Sequence, residues 1–361
     1  MNRQEDLFSS FPPPTASEWL AAAGSEFVHD FEPGIFAPAL PDSRSTETLD
    51  NTVLVERPVP FPRERAVRVD LDELPPRTWL ETAGITQVGV AGSSVSLHDF
   101  LTSDAFGLHF VATAEEARNT LHLASRTTNG SLSMSPQLVA PMQDELFRLL
   151  PDCSPSFRAL GIDLTKEPAA ATTVGRVTSA CLWAKRILDS SLQGETPVKV
   201  AARHLAFVFP CSDSLWIEVA FLRATRILLG EVLSSYSLGR TTASPLITLS
   251  PTPELADELP EQRLIRYSAA ACAAFLGEAD MIAAPGMHVL TGGSLIDSQR
   301  LLASTQLALI HEARLGELRD PVAGSTYVES LTTRIARAAW IEFQRAAAEV
   351  LPNTQSVPPR H

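Results

Sequence analysis

Short apolar runs alternate with amphipathic stretches over most of the chain beyond about residue 80. The clearest example is His204–Leu233, in which the apolar run Leu205–Phe209 is followed by Pro210 and then by a helical pattern from Leu215. An uninterrupted apolar run of this length is typical of a strand buried on both faces, and proline predicts its end because it cannot donate to a sheet. The intervening loop, Cys211–Ser214, offers side-chain oxygens for a helix N-cap. This stretch therefore predicts one strand–loop–helix unit, with the loop at the edge where α/β folds place their sites.

Eight such runs are interleaved with helical patterns over about 270 residues, which is the expected size of a (β/α)8 barrel. A doubly wound open sheet is the alternative, but the glycine-rich first turn GxGxxG that usually marks it is absent. We therefore predict an α/β fold, a (β/α)8 TIM barrel spanning residues 81–351, followed by a flexible tail at 352–361. The candidate strands are Ile85–Val90, Leu108–Ala112, Ser131–Met134, Ala159–Asp163, Ala170–Val174, Leu205–Phe209, Leu246–Ser250 and Met281–Ala284. The candidate helices are Ala114–Ser125, Pro141–Leu150, Ser179–Leu192, the one from Leu215, Glu261–Leu276, Ser298–Ala313 and Leu331–Val350.

Residues 1–80 differ from the rest because prolines are dense there. Proline removes backbone donors and fixes φ, so long helices and central strands are not expected over most of this region. One short helix is predicted from Ala16 to about Phe27, with Thr15 and Glu18 as a capping box. A disordered tail is the alternative, but aromatic residues such as Phe8 and Trp19 are unusual in disordered segments. We predict an extended proline-rich N-terminal arm that lies on another surface.

Composition and charge narrow the classes of function. The chain has 361 residues and a net charge of −13. No lysine- or arginine-rich run occurs, so we expect no nucleic-acid partner and no binding to anionic membrane surfaces. No run approaches the roughly 18 apolar residues of a membrane span, and the N-terminus does not resemble a signal peptide, so a cytoplasmic location is expected.

The four cysteines form no CxxC pair, which favours free thiols over a zinc site or disulfides; they are Cys153, Cys181, Cys211 and Cys272.

Candidate chemistry is sparse. The eight histidines show no HxH, HExxH or HxxxH spacing, so no helix-borne metal site is indicated. His288 follows Gly286 at the end of a predicted strand, where a barrel active site would lie, whereas His109 is better explained as a core residue. Gly292–Ser294 reads Gly-Gly-Ser, which is compatible with close approach to a phosphate or with a plain loop. The P-loop and GxSxG motifs are absent, so the residues alone predict a barrel without a complete active site.

Three stretches resemble the methylmalonyl-CoA mutase family. Asp320–Leu331, DPVAGSTYVESL, resembles the family block Asp-Pro-x-Gly-Gly-Ser-x-x-x-Glu-x-Leu, with Ala323 in place of the first glycine. Trp216–Leu229, WIEVAFLRATRILL, resembles a family helix with the pattern Glu-x-Ala-x-x-Arg-Ala-x-Arg, and Phe11–Trp19, FPPPTASEW, resembles the opening of the family's small subunits. The similarity is expected to cover about residues 80–351. In the helix the pattern positions are Glu218, Ala220, Arg223, Ala224 and Arg226.

The resemblance implies an adenosylcobalamin-dependent rearrangement of methylmalonyl-CoA and succinyl-CoA, in a barrel that threads the acyl-CoA along its axis. Two departures argue against this chemistry in the present chain. The Asp-x-His-x-x-Gly cobalamin motif of the family is missing, and no room for a second domain is expected after Val350. The family's catalytic Tyr-His pair, just after a strand, is matched to Val174-Gly175-Arg176, leading into Ser179-Ala180-Cys181. Glycine and valine cannot donate a side-chain hydrogen bond to a thioester carbonyl. The predicted site residues are accordingly none for catalysis, none for cofactor binding and none for metal.

We therefore favour a non-catalytic small subunit of a heterodimeric methylmalonyl-CoA mutase, whose partner is the catalytic large subunit and whose adenosylcobalamin is held by that partner. Two alternatives stay open. One is an active acyl-CoA mutase barrel that uses a separate cobalamin-binding chain, and the other is an acyl-CoA-binding or scaffold module. Whether this chain is itself an enzyme, and whether the barrel axis is open or plugged, is not decided by the sequence.

Overall fold

The fold is taken from a computed structural model, and the backbone alone is described through residue 111 and in residues 246–251. No helix among the described residues is both long and apolar enough to cross a membrane. The candidate helix 16–27, His288 and the Gly-Gly-Ser sequence at 292–294 lie outside the described residues. The structure describes residues 28–32, 35–38, 66–70, 87–91, 106–111, 113–124, 130–154, 157–212, 214–238, 246–251, 259–282, 301, 304–306, 308–309, 312–315 and 320–349.

Nine described strands form one parallel sheet, and two more form a separate antiparallel hairpin. The main path runs β11-β10-β9-β8-β6-β5-β4-β3, with β7 paired beside β8 on β6. The order follows the chain without the reversal of a doubly wound sheet, and the end strands β3 and β11 approach each other. The strands are β1 (Val28–Glu32), β2 (Ile35–Pro38), β3 (Ala66–Asp70), β4 (Gln87–Ala91), β5 (Phe106–Val111), β6 (Gly130–Met134), β7 (Phe157–Arg158), β8 (Leu160–Asp163), β9 (Leu205–Cys211), β10 (Leu246–Pro251) and β11 (Met281–Ile282).

Seven α-helices with described bounds accompany the sheet, and residues 304–306 and 308–309, inside the predicted helix Ser298–Ala313, are also helical. Helix α5 packs against α3 and α6, and the long C-terminal helix α7 lies across both α3 and α5. The hairpin strand β2 lies alongside α7. The helices are α1 (Ala114–Ala124), α2 (Pro136–Leu149), α3 (Thr173–Gln193), α4 (Val198–Arg203), α5 (Leu215–Ser235), α6 (Pro260–Leu276) and α7 (Thr326–Glu349).

Most predicted strands are found within two or three residues of their expected bounds, but Ala170–Val174 is not a strand. Residues Pro168–Ala170 form a 3-10 turn and α3 begins at Thr173. Thr172 is the N-cap of α3, and its Oγ1 accepts a hydrogen bond from the backbone N–H of Gly175 at 2.9 Å. The two threonines and the valine raised the β propensity of this segment, but a threonine in the N-cap position favours a helix.

Three further expectations need correction. The strand β9 continues through Pro210 to Cys211. Pro210 lies beside Ser250 of β10 in the parallel pair, and its carbonyl oxygen accepts a hydrogen bond from Arg176. The N-cap Ser214 makes no side-chain hydrogen bond; instead the Glu218 carboxylate accepts the N–H of Ser212 at 3.0 Å. Helix α2 begins at Pro136 rather than at Pro141, which lies inside it.

The described sheet also reaches into the region predicted as an arm. The strand β3 pairs in parallel with β4, from Ala66 beside Gln87 to Asp70 beside Ala91. The arm therefore contributes at least one strand, and the boundary near residue 80 stays a prediction for the remaining residues.

Strand alternation separates two faces of the sheet. Leu132, Ile162 and Phe209 belong to one hydrophobic core with the helices, and the ring of Phe209 meets Phe221 of α5 edge-on at 5.1 Å. Successive side chains of a strand point to opposite faces. The face away from the helices carries mostly small residues, namely Ser131 and Ser133 on β6, Gly161 and Asp163 on β8, and Ala206, Val208 and Pro210 on β9.

Candidate functional site

The two stretches that resemble family blocks meet in a buried ion-pair cluster. Arg223 on α5 is 1% exposed, and its Nη2 donates to Glu329 Oε1 on α7 at 2.7 Å. Its Nη1 pairs with the carboxylate of Asp320, in the turn that precedes α7. Glu329 Oε1 also accepts the backbone N–H of Gly324 at 3.2 Å. One guanidinium thus ties the helix Leu215–Ser235 to both ends of the Asp320–Leu331 block.

The turn in that block uses its glycine where the backbone requires one. Gly324 has φ 81, in the left-handed region that favours glycine. Ala323, which replaces the first glycine of the family pattern, is not among the described residues with positive φ. The substitution to alanine is therefore compatible with this backbone.

A second arginine extends the cluster toward the sheet. Arg226 Nη2 donates to the backbone carbonyl of Glu278 and to Asp280 Oδ2, both at 2.7 Å. Glu278 in turn accepts the backbone N–H of Asp320 on Oε1 at 2.9 Å. Glu278 and Asp280 directly precede β11, so the cluster lies at the N-terminal end of this strand. Residues at that end of parallel strands stabilise such folds, whereas chemistry is placed at the opposite end.

Burial also affects the carboxyl groups of this cluster. Arg223 pairs with Asp320 and Glu329, Arg226 pairs with Asp280, and the Glu278 carboxylate accepts the backbone N–H of Asp320. Burial raises the pKa of Asp320 above its ordinary value, and the neighbouring Glu278 and Glu329 act in the same direction, although Arg223 opposes them. Asp320 Oδ2 is buried without a hydrogen-bond partner. The geometry suits a structural role in which these charged groups hold α5, the turn at Asp320 and α7 together.

A separate ion pair lies at the C-terminal end of the strands. Arg176 on α3 donates to both carboxylate oxygens of Glu218 on α5, at 2.6 and 3.0 Å, and both side chains are at most 4% exposed. Arg176 also donates to the carbonyl of Pro210 at 2.6 Å and to Thr173 Oγ1 at 3.2 Å. Its guanidinium lies 4.0 Å from the ring centroid of Phe221. These contacts occupy both terminal nitrogens, so Arg176 is committed to holding α3, α5 and β9 together.

Sequence reasoning identified Glu218 by resemblance but missed its partner Arg176. A usable signal was present, because Arg176 stands in an otherwise uncharged run, 168–184, where a buried arginine must find a carboxylate. The spacing between them, 42 residues, hides the pair from any local motif.

The residues matched to the Tyr-His position do not directly follow a strand. Val174, Gly175 and Arg176 lie in the first turn of α3, and Ser179 to Cys181 lie further inside that helix. The segment that directly follows the strand β8 is residues 164–172, which contains neither tyrosine nor histidine. At its start Thr165 donates to Asp163 Oδ1 from its N–H at 2.9 Å and from its hydroxyl at 2.6 Å, in a closed local turn.

The small residues on the face away from the helices are closed to solvent. Ser131, Ser133, Ala206 and Val208 are each at most 1% exposed. The hydroxyl of Ser133 is buried without a hydrogen-bond partner. A ligand that ran along this face would have to contact these side chains.

His204 is a structural residue rather than a ligand. It is buried, and its Nδ1 lies 2.5 Å from the carbonyl oxygen of Phe157. Burial lowers the pKa of His204 to about 4, with Arg158 and Arg203 acting in the same direction against the hydrogen bond to Phe157. His109 lies in β5 beside Leu132 of β6, and its side chain is outside the described part of the chain.

The cysteines are free thiols in the structure. Cys153, Cys181 and Cys211 are buried and Cys272 is partly buried. Burial raises the pKa of Cys181 to about 12 and that of Cys153 to about 11, which makes their thiolates scarce at neutral pH. No group of three or more His, Cys, Asp or Glu side chains suited to a metal ion occurs among the described residues.

The described residues do not fit a corrin. The family resemblance implies a lower cobalt ligand supplied by the histidine of the motif Asp-x-His-x-x-Gly. His204 is buried with its Nδ1 against the backbone carbonyl oxygen of Phe157, and no histidine of the chain has an aspartate two residues before it. We therefore derive no chemical step through cobalamin from this chain.

The fold and the site together define an α/β protein with a sequentially ordered parallel sheet. The buried ion pairs among its described residues join helices to one another and to neighbouring turns. The model of the family named methylmalonyl-CoA mutase matches residues 123–349. The chain belongs to the methylmalonyl-CoA mutase family.

Several relatives carry more specific names. A probable methylmalonyl-CoA mutase small subunit of Mycobacterium tuberculosis is 29% identical over 199 residues, covering 54% of this chain and 31% of the relative. A methylmalonyl-CoA mutase small subunit of Porphyromonas gingivalis is 27% identical over 194 residues, covering 52% and 31%. The methylmalonyl-CoA mutase of Escherichia coli is 32% identical over 173 residues, covering 47% and 24%. The chain thus aligns with about a third or less of the length of these relatives.

Proposed function

We propose that this chain is a non-catalytic small subunit of a heterodimeric methylmalonyl-CoA mutase. In this proposal the large subunit carries out the interconversion of methylmalonyl-CoA and succinyl-CoA and holds adenosylcobalamin. The small-subunit names of relatives such as those of Mycobacterium tuberculosis and Porphyromonas gingivalis support a large-subunit partner.

The scaffold in this proposal is a closed (β/α)8 barrel. Two observations support closure. The strands from β3 to β11 follow one another in parallel along the chain, and the two end strands lie close enough to be neighbours. An open doubly wound sheet would reverse its strand order at an internal switch point.

The observation that carries the non-catalytic role is the closed face of the strands β6 and β9. In the family resemblance, the acyl-CoA lies along the barrel axis, and there it would contact residues such as Ser133 and Val208. These side chains are at most 1% exposed, which supports a barrel axis closed to an extended thioester. The loss of the tyrosine and histidine that should follow β8 agrees with this, because residues 164–172 offer no phenol or imidazole to polarise a thioester.

Three mixtures test the role of the chain. The full-length chain is mixed with adenosylcobalamin and methylmalonyl-CoA, first alone, then with a separate cobalamin-binding protein, then with the large subunit from the same source. We expect a stable complex with the large subunit and succinyl-CoA in that mixture alone. A chain that remains monomeric beside the large subunit in light scattering would overturn the proposal.

The second candidate is an active barrel that uses a separate cobalamin-binding chain. It is favoured by the small size of Ser131, Ser133 and Gly161, since small side chains on the axis of a barrel leave room once the neighbouring residues move aside. Succinyl-CoA in the mixture that lacks the large subunit would establish this candidate. Calorimetry with methylmalonyl-CoA separates the two further, because a closed axis should give no binding heat.

A further inference from the structure

Three uncharged stretches of the chain meet around one small apolar cluster. They are residues 214–217 at the start of α5, residues 267–277 in α6, and residues 321–328, which form the turn before α7 and its first residues. Charged residues make up 20% of the chain, so a surface built from three uncharged stretches is unusual here. The buried cluster consists of Val219, Ala273, Val322 and Val328, and the partly buried side chains that pack against it are Leu215, Leu276 and Tyr327.

Trp216 lies on the face of α5 that is directed toward this cluster, and it is 46% exposed. It precedes Val219 by three residues and Arg223 by seven, so the three share one face of the helix. That face meets the start of α7, because Val219 belongs to the cluster and Arg223 bonds Glu329. We call this set of ten residues the uncharged patch: Leu215, Trp216, Leu276 and residues 321–327.

Buried ion pairs hold the turn of the uncharged patch in place. Asp320 and Glu329, on either side of residues 321–327, both bond Arg223 of α5, and Glu329 also accepts the N–H of Gly324. The turn is therefore fixed before a partner binds, which reduces the conformational entropy lost on association.

The two aromatic residues of the uncharged patch have unused hydrogen-bonding groups. Within the described part of the chain, neither the indole N–H of Trp216 nor the hydroxyl of the partly buried Tyr327 makes a hydrogen bond. Both residue types are enriched in protein interfaces, where the ring supplies apolar contact and the polar end a hydrogen bond. Charged residues are depleted from interface cores, so the uncharged patch has the composition of such a core.

The size and charge of the patch indicate the kind of partner. A stable interface takes about 800 Å² from each protein over about 20 to 30 residues, so ten residues supply roughly 300 to 400 Å². This is about half of one side, as expected for a core that a polar rim surrounds. Two copies of this chain repel each other, since each has a net charge of −13, and the patch therefore favours a different protein over a second copy.

We propose that the uncharged patch is the core of the surface that binds the large subunit. The large subunit meets it with an uncharged, apolar surface that offers hydrogen-bond acceptors to Trp216 and Tyr327. This inference rests on the proposed function, because the large subunit is the partner named there. A few residues dominate an interface core energetically, and Trp216 is the expected anchor.

Binding of patch variants to the large subunit tests this assignment. Full-length chains that carry Trp216→Glu or Thr326→Glu are titrated with the large subunit from the same source by isothermal titration calorimetry. We expect the Kd to rise about 30-fold or more for Trp216→Glu and about tenfold for Thr326→Glu, because each change buries a carboxylate in the interface without a cation. An acidic residue in the first turn of α7 is favourable for the helix, so Thr326→Glu should not unfold the chain.

Two matched controls place the same charge at exposed positions outside the uncharged patch, namely Leu192→Glu on α3 and Gln344→Glu on α7. Their Kd should stay within about twofold of that of the unmodified chain. Thermal midpoints measured before each titration establish that the variants are folded. Should Trp216→Glu lower the midpoint, Thr326→Glu alone decides.

The outcomes separate the surface from the function. Patch variants that bind as tightly as the controls would overturn the surface assignment and leave the proposed function in place. An unmodified chain that does not bind the large subunit would overturn both. Self-association of the chain that Trp216→Glu abolishes, seen by light scattering, would assign the patch to a second copy and overturn the proposal.

Discussion

Arg223 shows how a single side chain can hold three segments of this protein. Its guanidinium is fully enclosed and reaches the Asp320 and Glu329 carboxylates, on either side of the turn that contains Gly324. A planar fork with several fixed donors can satisfy two carboxylates at once, which a lysine cannot do. Because all three groups are buried, each depends on the others to offset the cost of leaving water.

Removing the arginine alone should therefore be severe. We expect Arg223→Met to lower the free energy of unfolding by about 3 to 5 kcal/mol, since Asp320 and Glu329 are left buried without their cation. Urea denaturation followed by circular dichroism measures the change. Arg148→Ala, on the exposed side of α2, should stay within about 0.5 kcal/mol of the unmodified chain. A loss below about 1 kcal/mol for Arg223→Met would show that the cluster does not stabilise the fold.

His204 makes stability depend on pH. Its pKa is held down to about 4 in the folded chain by burial, against an ordinary value of 6.5. The unfolded chain therefore binds a proton that the folded chain does not, so stability is fully present above pH 6.5 and is lost as the pH falls toward 4. The full effect is on the order of 3 kcal/mol.

The variant His204→Asn isolates this contribution. Asparagine keeps an N–H near the position of Nδ1 for the Phe157 carbonyl but does not titrate. The difference in urea midpoint between the variant and the unmodified chain should shift in favour of the variant as the pH falls from 7 to 5. Carboxylates titrate in both proteins and cancel in the comparison. A difference that stays constant with pH would contradict the assignment.

At the scale of elements, close packing between β6 and β8 permits only glycine at position 161. A Cβ atom added at Gly161 of β8 would lie 1.7 Å from the carbonyl oxygen of Leu132 on β6. Backbone atoms of neighbouring strands cannot move aside as the end of a side chain can. Gly161 is therefore a requirement of the sheet.

We expect Gly161→Ala to destabilise the fold by about 3 kcal/mol, near the upper end for overpacked sites. Gly194→Ala is the matched comparison, because an added Cβ there meets its nearest atom, the Ser190 carbonyl oxygen, at 3.3 Å in an exposed position. That change should stay within about 1 kcal/mol. Thermal unfolding of both variants side by side tests the contrast, and equal midpoints would show that the sheet relaxes around the new methyl group.

The success of sequence reasoning differed between types of element. Long amphipathic helices such as α5 were predicted at their true start, because apolar periodicity reports directly on burial. The segment 170–174 was misassigned, since β-branched residues support both strands and helix caps and only tertiary packing decides between them. Arg176–Glu218 could not be predicted as a pair, because the contact between them exists only once α3 and α5 are packed. The closed face of β6 and β9 was likewise out of reach, since exposure depends on residues from several strands at once.

At the scale of the whole molecule, binding of a partner should raise the free energy of unfolding of this chain. A partner that binds the folded chain alone raises its free energy of unfolding, by about 2.7 kcal/mol when the free partner is at 100 times its dissociation constant. We expect the thermal midpoint of this chain to rise with the concentration of the proposed large subunit. Bovine serum albumin at equal mass serves as the control for crowding. A midpoint that does not respond to the large subunit would count against the heterodimer.

The link between Arg223 and the Asp320–Leu331 block has a consequence for how such chains are recognised. The residues that make this chain identifiable as a mutase relative are those that fasten its outer helices to one another. These contacts stabilise the framework whether or not a substrate is ever turned over. A sequence search that relies on these two stretches will therefore find catalytic and non-catalytic members of the family alike. Distinguishing them requires inspection of the residues that follow β8.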